Sequence, residues 1–334
     1  VWDCAAKPND SLLPAAKKYP GFVEHQNVRL FRRDKAIYFV GRVHESVGPR
    51  ILELGGRLEA APFSIHHFGL AMDAETRARK NHFYRELGRE KIREMPENAQ
   101  ARLELGIVEM DNFGNLPEAL ALFEQACKLD RKLGVAWFFR GLTLVKLESY
   151  SAALESLVQA EKQGHKTSLA AETQGDAEYN LKDYSRASQS YKIALQRSPG
   201  NASLESKLGL SLLRLGKTSE GMRKLQRALA RNPAAGELHD RLILALVWLD
   251  LLAEAAEAAE VKLKMSDEVH ARDFLRAASL WTQARNSEKT GEVLLAGLRR
   301  YPDHDLLLRA LREAGLAPQT AEFTSSLKSG TSGG

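Results

Sequence analysis

Small side chains recur along this chain at one constant interval, at Ala119, Ala153, Ala187, Gly221 and Ala255. A second series, Ala126, Ala160, Ala194 and Ala228, keeps the same interval before fading at Lys262. Phe123, Leu157, Tyr191, Leu225 and Ala259 lie between the two series. Upstream, Gly106, Gly141, Gly175 and Gly209 follow nearly the same step, and Pro199, Pro233 and Pro302 close units. A repeat of this length, about 34 residues, is one supersecondary unit that cannot bury its apolar face alone, so neighbouring units must stack. The pattern reads as two antiparallel helices per unit. A glycine on the first helix (A) lets the second (B) approach, with the alanine of B opposite it. The large residue four positions later then fills the space toward the next unit.

This step, with small, small, bulky, small and proline positions, resembles the tetratricopeptide repeat. Units fall at about 99–132, 134–167, 168–201, 202–235 and 236–269, with a degenerate sixth near 270–303 and a capping helix at about 304–315. The expected fold is mainly α. A tetratricopeptide-repeat superhelix of about five to six helix pairs occupies residues 96–318, a small α/β piece precedes it over 1–95, and a Ser/Thr/Gly-rich disordered tail follows over 319–334. Such solenoids bind a protein or peptide on the concave side, lined by the A helices. The register places Phe138, Glu172, Asp176, Tyr179, Asn180, Arg214 and Trp248 in that groove. Each also fits a solvated or packing position of a purely structural array.

No repeat phase extends back before about Asn98. Asn27–Arg33 and Ala36–Val43 read instead as short strands rich in β-branched and aromatic residues, with Arg33-Asp34-Lys35 at the turn. Pro62–His67 is a further apolar stretch, and Asp73 opens an amphipathic helix running to about Arg93, ahead of Pro96. Arg29-Leu30-Phe31-Arg32, Gly41-Arg42-Val43-His44-Glu45, Ile65-His66-His67-Phe68-Gly69 and the later Arg79-Lys80-Asn81 resemble the C-terminal part of family 2 glycosyltransferases. The resemblance implies a GT-A type α/β domain that holds a nucleotide-diphosphate sugar with a divalent cation, manganese or magnesium. It implies Glu45 as the catalytic base at the acceptor hydroxyl and His67 as a metal or diphosphate contact. His44 would orient the loop, and His66 would face the other side of its strand. The family's Asp-x-Asp motif lies far upstream of these elements. The donor-binding half is therefore expected before Val1, and the chain alone is expected to be inactive and without cofactor. Asp303-His304-Asp305 matches the motif only by coincidence. Arg29, Arg32 and Arg42 fit phosphate contacts or exposed hairpin positions alike.

Charge narrows the partners. Lys+Arg number 48 against 43 Asp+Glu, a net +5. The first hundred residues hold 17 basic and 13 acidic side chains, so most of the excess sits there rather than on the repeats. Nucleic acid calls for a denser basic stripe with interleaved aromatics, so no nucleic-acid partner is expected. No apolar run reaches the roughly 18–20 residues of a membrane span, and no signal peptide opens the chain. Cys4 and Cys127 show no metal or redox spacing, which fits a reducing, cytoplasmic setting. Two functions fit these readings. One is the C-terminal portion of a glycosyltransferase, using a nucleotide sugar only with its missing half and holding the acceptor or a protein partner on the repeats. The other is a non-enzymatic tetratricopeptide-repeat scaffold for protein–protein interaction.

Overall fold

The computed structural model describes residues 7–8, 21–22, 31–38, 47–60 and 73–315. The chain divides after Ala170 into two compact units.

In the first unit, β1 (Lys7–Pro8) pairs antiparallel with β2 (Gly21–Phe22), and these are the only strands among the described residues. The expected turn is present: the Ile37 amide donates to the Asp34 carbonyl (3.1 Å) and the Ala36 amide to Asp34 Oδ1 (2.8 Å). Of the strands expected on either side, Asn27–Arg33 and Ala36–Val43, residues 27–30 and 39–43 lie outside the described residues. The described parts, residues 31–33 and 36–38, carry no strand. A short helix unforeseen in the sequence, α1 (Gly48–Glu53), has proline in its first turn, where no amide partner is needed. Its Arg50 Nε donates to the Ala36 carbonyl at 3.0 Å and ties the turn to the helix.

Helix α2 (Ala74–Glu94) starts at its expected cap, with Asp73 Oδ1 accepting the Thr76 amide (2.8 Å). It packs on α3 (Ala99–Phe113). The Glu109 carboxylate, fully buried on α3, receives Arg85 Nε (2.6 Å) and Nη2 (2.8 Å) as a bidentate pair. Lys91 Nζ reaches Glu104 at 2.7 Å, and Gly88 lies against Leu105. Two helix pairs follow: α3 with α4 (Leu116–Leu129), and α5 (Gly134–Lys146) with α6 (Tyr150–Lys162).

The second unit holds α7 (Ser168–Asn180, starting just ahead of the division) with α8 (Tyr184–Arg197), and α9 (Ala202–Arg214) with α10 (Thr218–Arg231). Then come α11 (Gly236–Trp248) with α12 (Leu252–Met265), α13 (Ala271–Gln283) with α14 (Ser287–Arg300), and α15 (Asp305–Glu313). Asn201 and Asn286 cap their helices with side-chain oxygens, as their residue type favours. Leu307 and Leu311 of α15 are fully buried and cover the apolar end of the last pair. Among the described residues no helix is long and apolar enough to cross a membrane.

The repeat series has a packing meaning that differs from the sequence reading. What faces the A-helix glycine is the bulky B-helix residue of the same unit, not the alanine. A Cβ on Gly106 would stand 2.5 Å from the Phe123 ring, one on Gly141 2.8 Å from Leu157 Cγ, and one on Gly175 2.7 Å from the Tyr191 ring. At Gly209 the obstacle is the Gly221 carbonyl, 2.9 Å away. The Phe123 ring also stacks on Phe139 of α5, with centroids 5.5 Å apart, so one side chain serves both contacts. The alanines at 119, 126, 153, 160, 187, 194 and 228 are fully buried beside it. In the sixth pair the roles are exchanged: Phe274 is on A and Gly297 on B, and a Cβ on Gly297 would stand 3.0 Å from Phe274 Cβ.

A second ladder with the repeat's spacing lies in the turns between A and B. Gly114, Glu148, Lys182, Gly216, Asp250 and Arg285 all hold φ between +58° and +75°. Four of these are not glycine, and an L residue in that region costs about 1–2 kcal/mol.

Two substitutions of opposite sign check this packing. Gly175→Ala should lower stability by about 1–3 kcal/mol through overpacking against Tyr191. Arg285→Gly, at an exposed turn with φ of 58°, should raise it by about 0.5–1 kcal/mol. Thermal melts of the whole chain read both, and shifts of the same sign would refute the assignment of strain.

Candidate functional site

Of the seven groove positions expected from the register, Phe138 is placed elsewhere. Its side chain is only 2% exposed, in the core of the first unit, edge-on to Phe139 and stacked on His165 at 4.8 Å. An apolar ring with two aromatic neighbours gains more by burial than by facing solvent. The same environment holds His165 below the usual histidine range through burial.

The other six lie on A helices of the second unit and fall into two groups. Glu172 and Asp176 belong to α7 and share Lys207 of α9. Lys207 Nζ donates to Glu172 Oε1 at 2.7 Å and to both Asp176 oxygens at 2.8 Å. Asp176 Oδ1 also accepts the Tyr191 hydroxyl (2.7 Å), and burial followed by the Asp176 charge drives that phenol's ionisation far up. This is a saturated ion cluster joining adjacent repeats. Similar links continue along the A helices. Arg241 Nη1 bonds Ser206 Oγ (2.7 Å) and Ser203 Oγ (3.1 Å), and Arg276 Nη1 bonds Asp240 at 2.7 Å. Lys262 Nζ bridges Asp240 and Asp273. Burial alone would raise the Asp273 carboxyl, but bonds from Lys262 and the His270 amide outweigh it and hold the group low.

The second group is open. Tyr179, half buried, meets Tyr184 edge-on at 5.2 Å; burial, then the neighbouring Tyr184, pushes its hydroxyl up to about 12. The Arg214 guanidinium carbon lies 5.0 Å from the Tyr184 ring centre and 4.9 Å from that of Trp248. Arg214 and Trp248 are the last residues of α9 and α11, one repeat apart, and Trp248 is 37% exposed. Asn180 is the equivalent end residue of α7; its amide is turned back to the Asp176 carbonyl at 2.8 Å. The structure therefore joins Tyr179, Arg214 and Trp248 into one stack and leaves Glu172 and Asp176 in another cluster.

Two members were not found in the sequence. Tyr184 is the first residue of a B helix, whereas groove residues were sought on A helices. Lys207 lies one position further from Glu172 than a full repeat, and that spacing was the available signal.

Glu45 and His67, with His44, His66, Arg29 and Arg42, lie outside the described residues, while Arg32 is exposed. Among the described residues no three His, Cys, Asp or Glu side chains gather as a metal site, Asp303, His304 and Asp305 included.

Residues 73–133 and 140–202 match the family profile of the tetratricopeptide repeat. The chain thus carries tetratricopeptide repeats, and the match begins with α2, ahead of the start expected near residue 96. A tetratricopeptide repeat protein from Parabacteroides merdae has a similar solved structure, with a TM-score of 0.55 and 15% identity over 72% of this chain and 98% of that one. PilW, a widely conserved type IV pilus biogenesis factor, gives 0.54 and 19% over 64% and 98%. The APC/C hetero-tetramer Cut9-Hcn1 gives 0.52 and 16% over 80% and 51%. At these identities what is shared is the fold. No curated protein matches the chain.

A buried titratable group lies on the same helix as Tyr179. Glu178, next to Tyr179, is 4% exposed and accepts Ser190 Oγ (2.6 Å) and Gln174 Nε2 (3.0 Å). Burial raises its carboxyl above the usual 4.5, against the lowering effect of those two bonds. A raised folded value means that its stabilising contribution is complete below pH 4.5 and is lost as pH rises through the folded value. Glu178→Gln should remove that loss, so the variant's melting temperature should fall less than the parent's from pH 4.5 upward. Parallel pH profiles would refute this.

Proposed function

We propose that the chain is a tetratricopeptide-repeat scaffold whose A-helix face in the second unit binds a peptide or protein segment. The observation that supports this most directly is the stack of Tyr179, Tyr184, Arg214 and Trp248, drawn from consecutive repeats and left accessible at the helix ends. Tyr, Trp and Arg are the side chains that dominate binding energy at protein interfaces, and an array with only a structural task has no need to expose them together.

The glycosyltransferase reading, with its nucleotide sugar, its divalent cation and the roles of Glu45 and His67, rests on the resemblance over residues 25–95 alone. The described residues and the matches above favour the scaffold. In both readings the repeats hold a partner.

Panning a random dodecapeptide library on the whole chain, then mapping the selected peptides by hydrogen exchange, tests the proposal. Protection is expected in the last turns of α7, α9 and α11. Protection confined to B helices, or no selected peptide, would count against it.

A further inference from the structure

Three cations of α10, a B helix of the second unit, converge on one buried carboxylate. The side chain of Glu205 on α9 is only 5% exposed. Its Oε1 lies 3.2 Å from Lys224 Nζ and 3.7 Å from Arg227 Nε, and its Oε2 accepts Arg231 Nη1 at 2.8 Å. None of the three cations pairs with another carboxylate among the described residues. Glu220, the single acid of α10, stands seven positions from Arg227 and only three from Arg223. Three cations against one carboxylate leave two positive charges unmatched.

The fold does not call for this arrangement. Arg227 stands where the B helices before and after it carry Ile193 and Val261, and Lys224 where they carry Ser190 and Ala258. Glu205 likewise stands where the neighbouring A helices carry Ala171 and His239. Lys224 and Arg231 already donate to the buried carboxylate, so Arg227 adds like charge without completing a hydrogen bond. Arg223, Arg227 and Arg231 also follow one another at four-residue steps, and like charges so spaced destabilise a helix. Arg227 is 63% exposed and Arg231 37%, so both are within reach of a ligand.

We propose that Lys224, Arg227 and Arg231 form a binding site for the phosphate monoester of a phosphorylated protein segment, with Glu205 holding the three cationic heads together. The two unmatched charges balance those of a phosphate monoester, which carries about −1.5 to −2 at pH 7 and offers three strong acceptor oxygens. Guanidinium groups recognise such oxygens bidentately, and the lysine adds a compact point charge. An exposed helix face grips the charged group and little of what it is attached to. That suits a phosphate carried on a larger molecule rather than a free metabolite. A bilayer fits less well, since its many headgroups would also meet Glu254 and Glu257, exposed on the next B helix. The site lies on a B helix and does not depend on the peptide reading of the A-helix face.

The test pans a dodecapeptide library with phosphoserine fixed at its centre on the whole chain. Selected phosphopeptides should bind about tenfold more tightly than the same peptides with serine, and should protect α10 in hydrogen exchange. Arg227→Gln and Arg231→Gln should each weaken the phosphopeptides about tenfold and leave the serine peptides unchanged. Arg227 is exposed, so Arg227→Gln should melt as the parent does. Arg227→Lys, which keeps the charge and loses the fork, should recover part of the affinity. Arg309→Gln removes the same charge from an exposed position on α15 and should change nothing, because salt screens charges away from the site. Equal binding of phosphoserine and serine peptides overturns the proposal. So does an equal loss in Arg309→Gln, or a lowered melt of Arg227→Gln with phosphopeptide affinity intact, the mark of a purely structural cluster. Capture of phosphatidic acid vesicles without any preference between the peptides assigns the cluster to a lipid surface and overturns it as well.

Discussion

The contact between a missing side chain and a large one sets the distance at which each helix pair closes. At Gly106, Gly141 and Gly175 a single carbon added to helix A would overlap the ring or branched side chain of helix B. Interiors packed to crystal density have no slack to absorb it. Because Phe123 also stacks on Phe139 of the following A helix, the spacing within one pair is linked to the spacing between pairs. The fully buried alanines then fill what remains. Caps, turns and surface charges are arranged around a separation fixed by this contact.

Ion pairs along the A helices act on a different quantity. Lys207 and its acids on α7 are one-fifth to one-third exposed, where such pairs contribute little net stability. Their effect is on register. Each cation reaches back to the preceding A helix, and a repeat with the wrong charge there would leave a half-buried group unpaired, which is costly. Arg214 departs from this rule: its partners among the described residues are the Tyr184 and Trp248 rings.

The repeat period and the helix pairs were legible because the constraint that makes them is steric, and small residues announce it in sequence. The αL turns were half legible. Gly114, Gly216 and Asp250 are residue types that favour the position, whereas Glu148, Lys182 and Arg285 carry no propensity signal for it. Phe138 was misplaced because position within the repeat says which way a residue points but not what stands in front of it; His165 and Phe139 close over that ring. Tyr184 escaped notice because the stack crosses from an A helix to the start of a B helix, a juxtaposition made by the turn. Over residues 31–38 the turn was legible, because Asp34 is a residue type that bonds its own following backbone.

The A-to-B turns also bear on how the array can change length. Lys182 and Gly216, at the same place in successive repeats, hold nearly the same backbone conformation. Excising the chain between such points and rejoining it would preserve the local dihedral angles, so the joint itself carries little penalty. The register of the ion pairs would survive too. Arg241 occupies the position of Lys207 one repeat later, and with one repeat removed its guanidinium would come opposite Glu172 and Asp176, acids that already accept a cation. The groove would shorten by one step with its charges still matched, which is how a repeat family can gain or lose reach without redesigning its interior.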